Sequence, residues 1–254
     1  AGDTKKPESL SAAFEGADAA FIVVNFWDPD IFMKEEVLTK AILDVAKNAG
    51  VPHVIYSSIA DVDAVSGGKF NVPHFTMKAK ALEQARSLGF PYLTDVEAAM
   101  YYSNFFTFMK PQKEEDGTLV WSLPSKGKIS AYDPNTGTGP AVVTAIKDPE
   151  AYNGKEILLE ADFLSCEEMV AMMGTKMGVK AKFQYIEPKV FAGFGFPGAE
   201  ELAEMFEWFD QYGYYGPETE QRKHASGKDA SGAGKLLTFQ QWLDTEAYKN
   251  FGEL

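Results

Sequence analysis

His74 and Lys78 stand four residues apart in a stretch from about Pro73 to Leu88 whose spacing predicts a helix, so both side chains share one face. An imidazole and an ammonium on one face can do proton chemistry, since histidine titrates near neutrality and a fixed cation lowers the pKa of a neighbouring acid. Ser57 and Ser58 close the preceding run from His53, a predicted strand. They lie at the carboxyl edge, where open α/β sheets bind ligands, and their hydroxyls can relay a proton. An ordinary reading stands beside this one: Lys78 as a surface lysine and His74 as a helix-start residue. Two glycine patterns read as structure. Gly193 to Gly198 spells G-x-G-x-x-G, but the nearest strand-like run ends around Ile186 and Pro197 removes a backbone donor, so a turn before the helix at Ala199 is the better reading. Gly232-Ala233-Gly234-Lys235 fails as a phosphate loop, with Asp229 in place of the first glycine and Leu236 in place of Ser/Thr. The histidines (His53, His74, His224) are scattered and form no metal-ligand cluster with cysteine.

These residues need a frame to hold them. Asp3 or Thr4 can cap a short helix with Pro7 near its first turn, closed by Gly16. Ala19 to Phe26 runs apolar without alternation, which predicts a parallel strand covered on both faces. From about Met33 to Ala49, Val37, Ala41, Ile42, Val45 and Ala46 recur at helical spacing, and Gly50 supplies the stop. A third strand is expected from Pro91 to about Val96. Strands alternating with helices across short connections mean parallel crossovers, so the class is α/β with a doubly wound parallel sheet. After Asn104 the pattern changes. Short strands at Leu119–Leu123, Gly127 to Tyr132, Lys155 to Glu160 and Lys180 to Glu187 alternate with helices near Pro140 to Lys147, Ser165 to Met177 and Ala199–Tyr212. A last helix starts within Leu237 to Leu243, and 219–235 reads as a mobile loop. The expected division is residues 1–130 and a smaller mixed α+β part, 131–254, with an interleaved boundary. Met100 to Phe106 reads equally as a pocket wall or as core. The aromatic helical face Met205, Phe206, Trp208, Phe209 and Tyr212 reads as core.

The 254 residues carry 24 Lys+Arg against 37 Asp+Glu, a net charge of −13. Such a surface repels phosphate backbones and anionic lipid, which argues against nucleic-acid and membrane-surface binding. The single cysteine, Cys166, cannot form an internal disulfide, and an intracellular setting, cytoplasmic or nuclear, is the economical expectation.

The Ser and His74-x-x-x-Lys78 set is similar to the Ser and Tyr-x-x-x-Lys set of short-chain dehydrogenases, with histidine where tyrosine would stand. In those enzymes the lysine hydrogen-bonds the cofactor ribose. Further segments, in order, resemble the NmrA-like family, an atypical branch of that superfamily. They are Gly2-Asp3 with Pro7-Glu8-Ser9-Leu10, the strand from Asp18 into Asn25-Phe26-Trp27, and Gly67-Gly68-Lys69 through His74-Phe75-Thr76-Met77-Lys78. Tyr101-Tyr102-Ser103-Asn104, Gly195-Phe196-Pro197-Gly198-Ala199 through Met205-Phe206, and Thr238-Phe239-Gln240-Gln241-Trp242-Leu243 complete the set. The resemblance implies a Rossmann-type domain for NADP or NAD, here residues 1–130, and a smaller C-terminal substrate or partner domain. It implies that Asn25, Phe26 and Trp27 lie beside the adenosine and phosphate half, that Lys40 and Lys78 contact the cofactor, and that Tyr101, Tyr102, Ser103 and Asn104 border the nicotinamide. Lys78, His74 and Ser58 would be the catalytic set. Members are either oxidoreductases, here for a small apolar carbonyl or unsaturated substrate, or cofactor-sensing regulators that bind a partner protein.

Two departures from the family carry weight. Its opening strand, G-x-x-G-x-x-G loop, helix and second strand, about sixty residues, are not found in the sequence. The expectation is therefore an N-terminally incomplete Rossmann sheet, with NADP or NAD bound by the complete protein and the phosphate cradle missing from these 254 residues, or a shortened member that has lost dinucleotide binding. The apolar strand from Ala19 would then lie at an edge, covered by another copy or a rearranged segment. Thr94-Asp95-Val96-Glu97 also places acids where many relatives have Arg-x-Pro.

Overall fold

The computed structural model describes residues 2–220 and 236–252, which form two compact units. The first unit comprises residues 2–98 and Pro140–Leu158; the second comprises Ala99–Gly139, 159–220 and 236–252. The elements, in chain order, are α1 (Ser11–Phe14), β1 (Ala19–Ile22), α2 (Glu35–Asn48), β2 (His53–Ser58), α3 (Val62–Ser66), α4 (Pro73–Ser87), β3 (Tyr92–Ala98) and β4 (Met100–Tyr101). Then come β5 (Gln112–Lys113), β6 (Leu119–Leu123), β7 (Lys128–Tyr132), α5 (Pro134–Lys147), α6 (Pro149–Tyr152), β8 (Glu156–Leu159) and β9 (Asp162–Ser165). The chain continues through α7 (Cys166–Met177), β10 (Ala181–Tyr185), α8 (Pro188–Ala192), α9 (Ala199–Tyr212) and α10 (Phe239–Asp244).

The first unit is built on a four-stranded sheet in the order β1-β2-β3-β8, with β1 and β3 both parallel to β2. The α/β class with a parallel sheet is as expected. On one face, Ala20, Ile22, Val24, Val54 and Tyr56 pack with Ile42, Leu43 and Ala46 of α2 and Ala81, Leu82 and Ala85 of α4. The helical spacing of these apolar positions is what turns one stripe of each helix inward. Gly50 closes α2 with a φ of 79°, a conformation that costs glycine nothing sterically.

The coverage of β1 differs from expectation. Ala20, Ile22, Val24 and Phe26 are buried, whereas Phe21 (37%), Val23 (52%) and Trp27 (40%) alternate with them and stay exposed. An apolar run does not fix how many faces are covered; β1 lies at the sheet's edge, and α2 and α4 cover one side. The cap expected at Asp3 or Thr4 does not form. The first turn instead follows Lys6, and the Asp3 carboxylate accepts the Lys5 N–H at 2.9 Å. Helix α5 starts six residues earlier than expected and carries Pro140 inside it. Asp133 draws the chain into that helix by accepting from Thr136 Oγ1 at 2.8 Å and from the Asn135 N–H at 3.3 Å.

In the second unit, β10-β6-β5 and β4-β7-β9 form two three-stranded sheets. Helix α7 starts with a capping box between Ser165 and Glu168, the pattern that lets an N-terminus satisfy two orphan donors reciprocally. Its first residue, Cys166, is buried, and burial pushes its thiol up to about 12. Fully buried Trp121, Trp208 and Trp242 anchor this unit, and Phe206 and Phe209 of α9 are core as expected. The glycines of 193–198 connect α8 to α9, the turn that the sequence indicated. Most of the expected mobile loop, 221–235, including Gly232 to Lys235, lies outside the described residues. Among the described residues no helix is long and apolar enough to cross a membrane.

Candidate functional site

The carboxyl ends of β1, β2 and β3 share one face of the first unit's sheet with α2 and α4, and polar groups collect there. Strand geometry sorts them. Side chains alternate, so Tyr56 and Ser58 project to the helix-covered side and Ser57 to the other. The register sets Asp95 beside Tyr56 and Glu97 beside Ser58 on the same side.

Lys78 reaches this edge from the second turn of α4. Its Nζ donates to the Val24 carbonyl at 2.9 Å and forms an ion pair with Glu35 Oε1. The lysine side chain is 17% exposed and that of Glu35 is fully buried. Glu35 is the first residue of α2, where the helix dipole favours a negative charge. One turn on, Thr39 is also buried, facing the Tyr56 hydroxyl. Burial holds that phenol well above its ordinary value, and the charges of Glu35 and Asp95 push the same way. Beyond it, Ser58 Oγ donates to Asp95 Oδ1 at 2.6 Å. Asp95 is buried and pushed up to about 7, first by burial and then by Glu156, while the Ser58 hydrogen bond and Arg86 oppose the shift.

His74, the second residue of α4, packs its ring against Trp27 at 5.2 Å, Phe26 at 5.7 Å and Phe75 at 4.8 Å. Phe26 is buried, while Trp27 forms an exposed shelf whose backbone N–H donates to Asn25 Oδ1 at 3.1 Å. Asn25, Phe26, Trp27, His74, Lys78 and Ser58 thus belong to one unit and one end of its sheet. Lys40 is set apart. It is ion-paired to Glu36 one turn back, and lies about 140° around α2 from Glu35.

Tyr101 to Asn104 belong to the second unit. Tyr101 is exposed, with its ring 5.6 Å from that of Tyr132. Tyr102 is fully buried, and its hydroxyl donates to the Asp162 carboxylate, which also receives the Phe239 N–H. Burial first, then Asp162, holds that phenol far above its ordinary value. Ser103 and Asn104 are half-buried, and their carbonyls accept from Thr107 Oγ1 and from the Met109 N–H, shaping a tight turn.

Glu35, Tyr56 and Asp95 were not among the site residues expected from sequence. Asp95 carried a signal, since two acids two apart in a buried strand share a face. Glu35 carried none that separates it from Glu36, an ordinary acidic first turn.

A parallel α/β sheet that gathers a lysine, a serine and buried carboxylates at its carboxyl edge defines a Rossmann-type protein. The model of the NmrA-like family matches residues 1–248, and the chain belongs to that family. The "NmrA-like family domain-containing oxidoreductase FrzB" of Cladobotryum sp is 30% identical over 235 residues, which is 83% of this chain and 70% of that protein. Among solved structures, NmrA, "a negative transcriptional regulator", in complex with NAD superposes with a TM-score of 0.77 at 25% identity, covering 99% of this chain and 82% of that one. Its complex with NADP gives 0.72 at 26% identity, covering 96% and 79%.

Proposed function

We propose that this chain is an NAD(P)-dependent oxidoreductase acting on a small, apolar carbonyl or unsaturated substrate. The observation that carries the reading is the Lys78 ammonium, fixed at the carboxyl end of β1 by the Val24 carbonyl and Glu35, on the same helix as His74. An ammonium has three donors, and two are used by those partners, which suits the third to a ribose hydroxyl. Trp27 and His74 offer a flat shelf beside it, and Asn25 is exposed next to that shelf. This donor set fits the ribose side of a nicotinamide dinucleotide. When bound, the reduced cofactor supplies the hydride. Ser58 would hold the proton at its Oγ, with His74 as the second group able to carry one. In the second unit, the bordering role proposed for Tyr101 to Asn104 suits Tyr101, whose side chain is exposed. The relatives named as oxidoreductases support the reading, and the single cysteine agrees with an intracellular setting, cytoplasmic or nuclear.

A specific observation favours a second reading, that of a cofactor-sensing regulator which binds a partner protein. His74 stands where a short-chain dehydrogenase carries its tyrosine, and the solved NmrA structures are of a transcriptional regulator.

The test is calorimetric titration of NADPH and NADH into the protein, followed by a screen of quinones, aldehydes and enones for hydride transfer. Binding with transfer is the expected outcome. Binding without transfer selects the regulator, and no binding of either nucleotide removes both readings.

A further inference from the structure

We propose that Asp95 and Ser58 form a proton couple at the carboxyl edge, Asp95 holding the proton that Ser58 passes to the reacting oxygen. The inference deepens the hydride-transfer reading of the same edge and rests on it. Its basis is geometric. Ser58 Oγ and Asp95 Oδ1 lie 2.6 Å apart across neighbouring parallel strands, and both residues are buried. Ser58 is the last residue of β2, so the couple ends at the edge itself.

The surroundings keep a proton on the couple. Three buried carboxyl groups, Glu35, Asp95 and Glu97, share the face with Lys78. Glu35 takes the lysine directly. Tyr56 stands beside Asp95 on β2, Glu156 faces it from β8, and Arg86 faces it from α4. Helix α6 meets the strand on the opposite side, where Thr94 Oγ1 donates to the Tyr152 carbonyl and contacts His53 Nε2 at 2.9 Å. Burial without a direct cation places Asp95 at about 7, between its two protonation states at neutral pH.

The step balances as follows. A hydride delivered to a carbonyl carbon leaves an oxyanion. An O–H bond forms to that oxygen as the Ser58 Oγ–H bond breaks, and the Asp95 carboxyl proton moves to Ser58 Oγ. Asp95 is left as a carboxylate and regains its proton from water. Ser58 is the group that touches the substrate; Asp95 is a positioning and proton-holding residue behind it.

The test uses protein labelled with ¹³C at aspartate carboxyls, titrated by NMR without cofactor, with Asp95→Asn to assign the signal. The Asp95 signal is expected to titrate at about 7. In Ser58→Ala its midpoint should rise, because the lost hydrogen bond favours the carboxylate. With NADPH or NADH and an accepting carbonyl or enone, the hydride-transfer rate should fall as pH rises through the same midpoint. Asp95→Asn should remove that limb and slow transfer about a hundredfold. An Asp95 signal titrating below about pH 5 with ordinary aspartates, or a midpoint that Ser58→Ala leaves in place, overturns the couple while transfer by the unmutated protein keeps the oxidoreductase reading. The expected titration with no transfer to any acceptor overturns the oxidoreductase reading and the relay together.

Discussion

Lys78→Met should lower the stability of the protein by about 3–5 kcal/mol, the range for breaking a buried ion pair from one side. The cause is the carboxylate left behind. Glu35 is fully buried, and Lys78 is a cation paired directly with it. Methionine approximates the lysine stem's volume, so lost packing is a small part of the effect. Adding Glu35→Gln should recover most of the loss, because the pair then becomes neutral on both sides. Urea unfolding of the single and double variants measures this. A single variant within about 1 kcal/mol of the parent would show that Glu35 does not depend on the lysine. The double variant also isolates Lys78's role toward a cofactor. It restores the fold without restoring the ammonium, so its nucleotide affinity should fall at least about tenfold, about 1.4 kcal/mol, if Lys78 holds the ribose.

Asp95→Asn should make the protein more stable at pH 8 to 9 and leave it unchanged below about pH 4. The folded chain holds the Asp95 proton at about 7, against an ordinary carboxyl at 3.8, so the proton binds the folded state more tightly. That contribution is complete below the unfolded value and is lost as pH rises through the folded one, about 4 kcal/mol in all. Asparagine keeps the shape and can still hydrogen-bond Ser58, but it has no charge to desolvate. Urea midpoints of parent and variant should therefore diverge from about pH 4 to about pH 7 and keep a constant gap from there to pH 9. Curves that run parallel across that range would mean that Asp95 ionises at no cost inside the fold.

How much of this was legible in the sequence depends on the range of the interaction. β2, α2 and α4 were visible because their signals are local: short apolar runs, helical spacing, and Gly50 as the stop of α2. Lys78 and His74 were visible as a helical pair for the same reason. The one-sided cover of β1 was not visible, since coverage belongs to neighbours rather than to the apolar run itself. The start of α5 was hidden because Gly137, Gly139 and Pro140 have low intrinsic helix propensity, while the Asp133 carboxylate draws the helix in through contacts that spacing does not show. The polar cluster was hidden most deeply. Glu35, Tyr56 and Asp95 come from three separate elements, and only the β2–β3 register and the rotation of α2 bring them to one face.

The burial of Cys166 has a practical consequence at the bench. A thiol kept protonated and out of solvent does not meet alkylating reagents, because the thiolate is the nucleophile. The chain has no other cysteine. Its native sequence is therefore already a silent background for site-directed labelling. A cysteine introduced at one exposed position in each unit, for instance Glu83→Cys and Lys182→Cys, would be the pair that dyes or spin labels find, with no native residue to remove first.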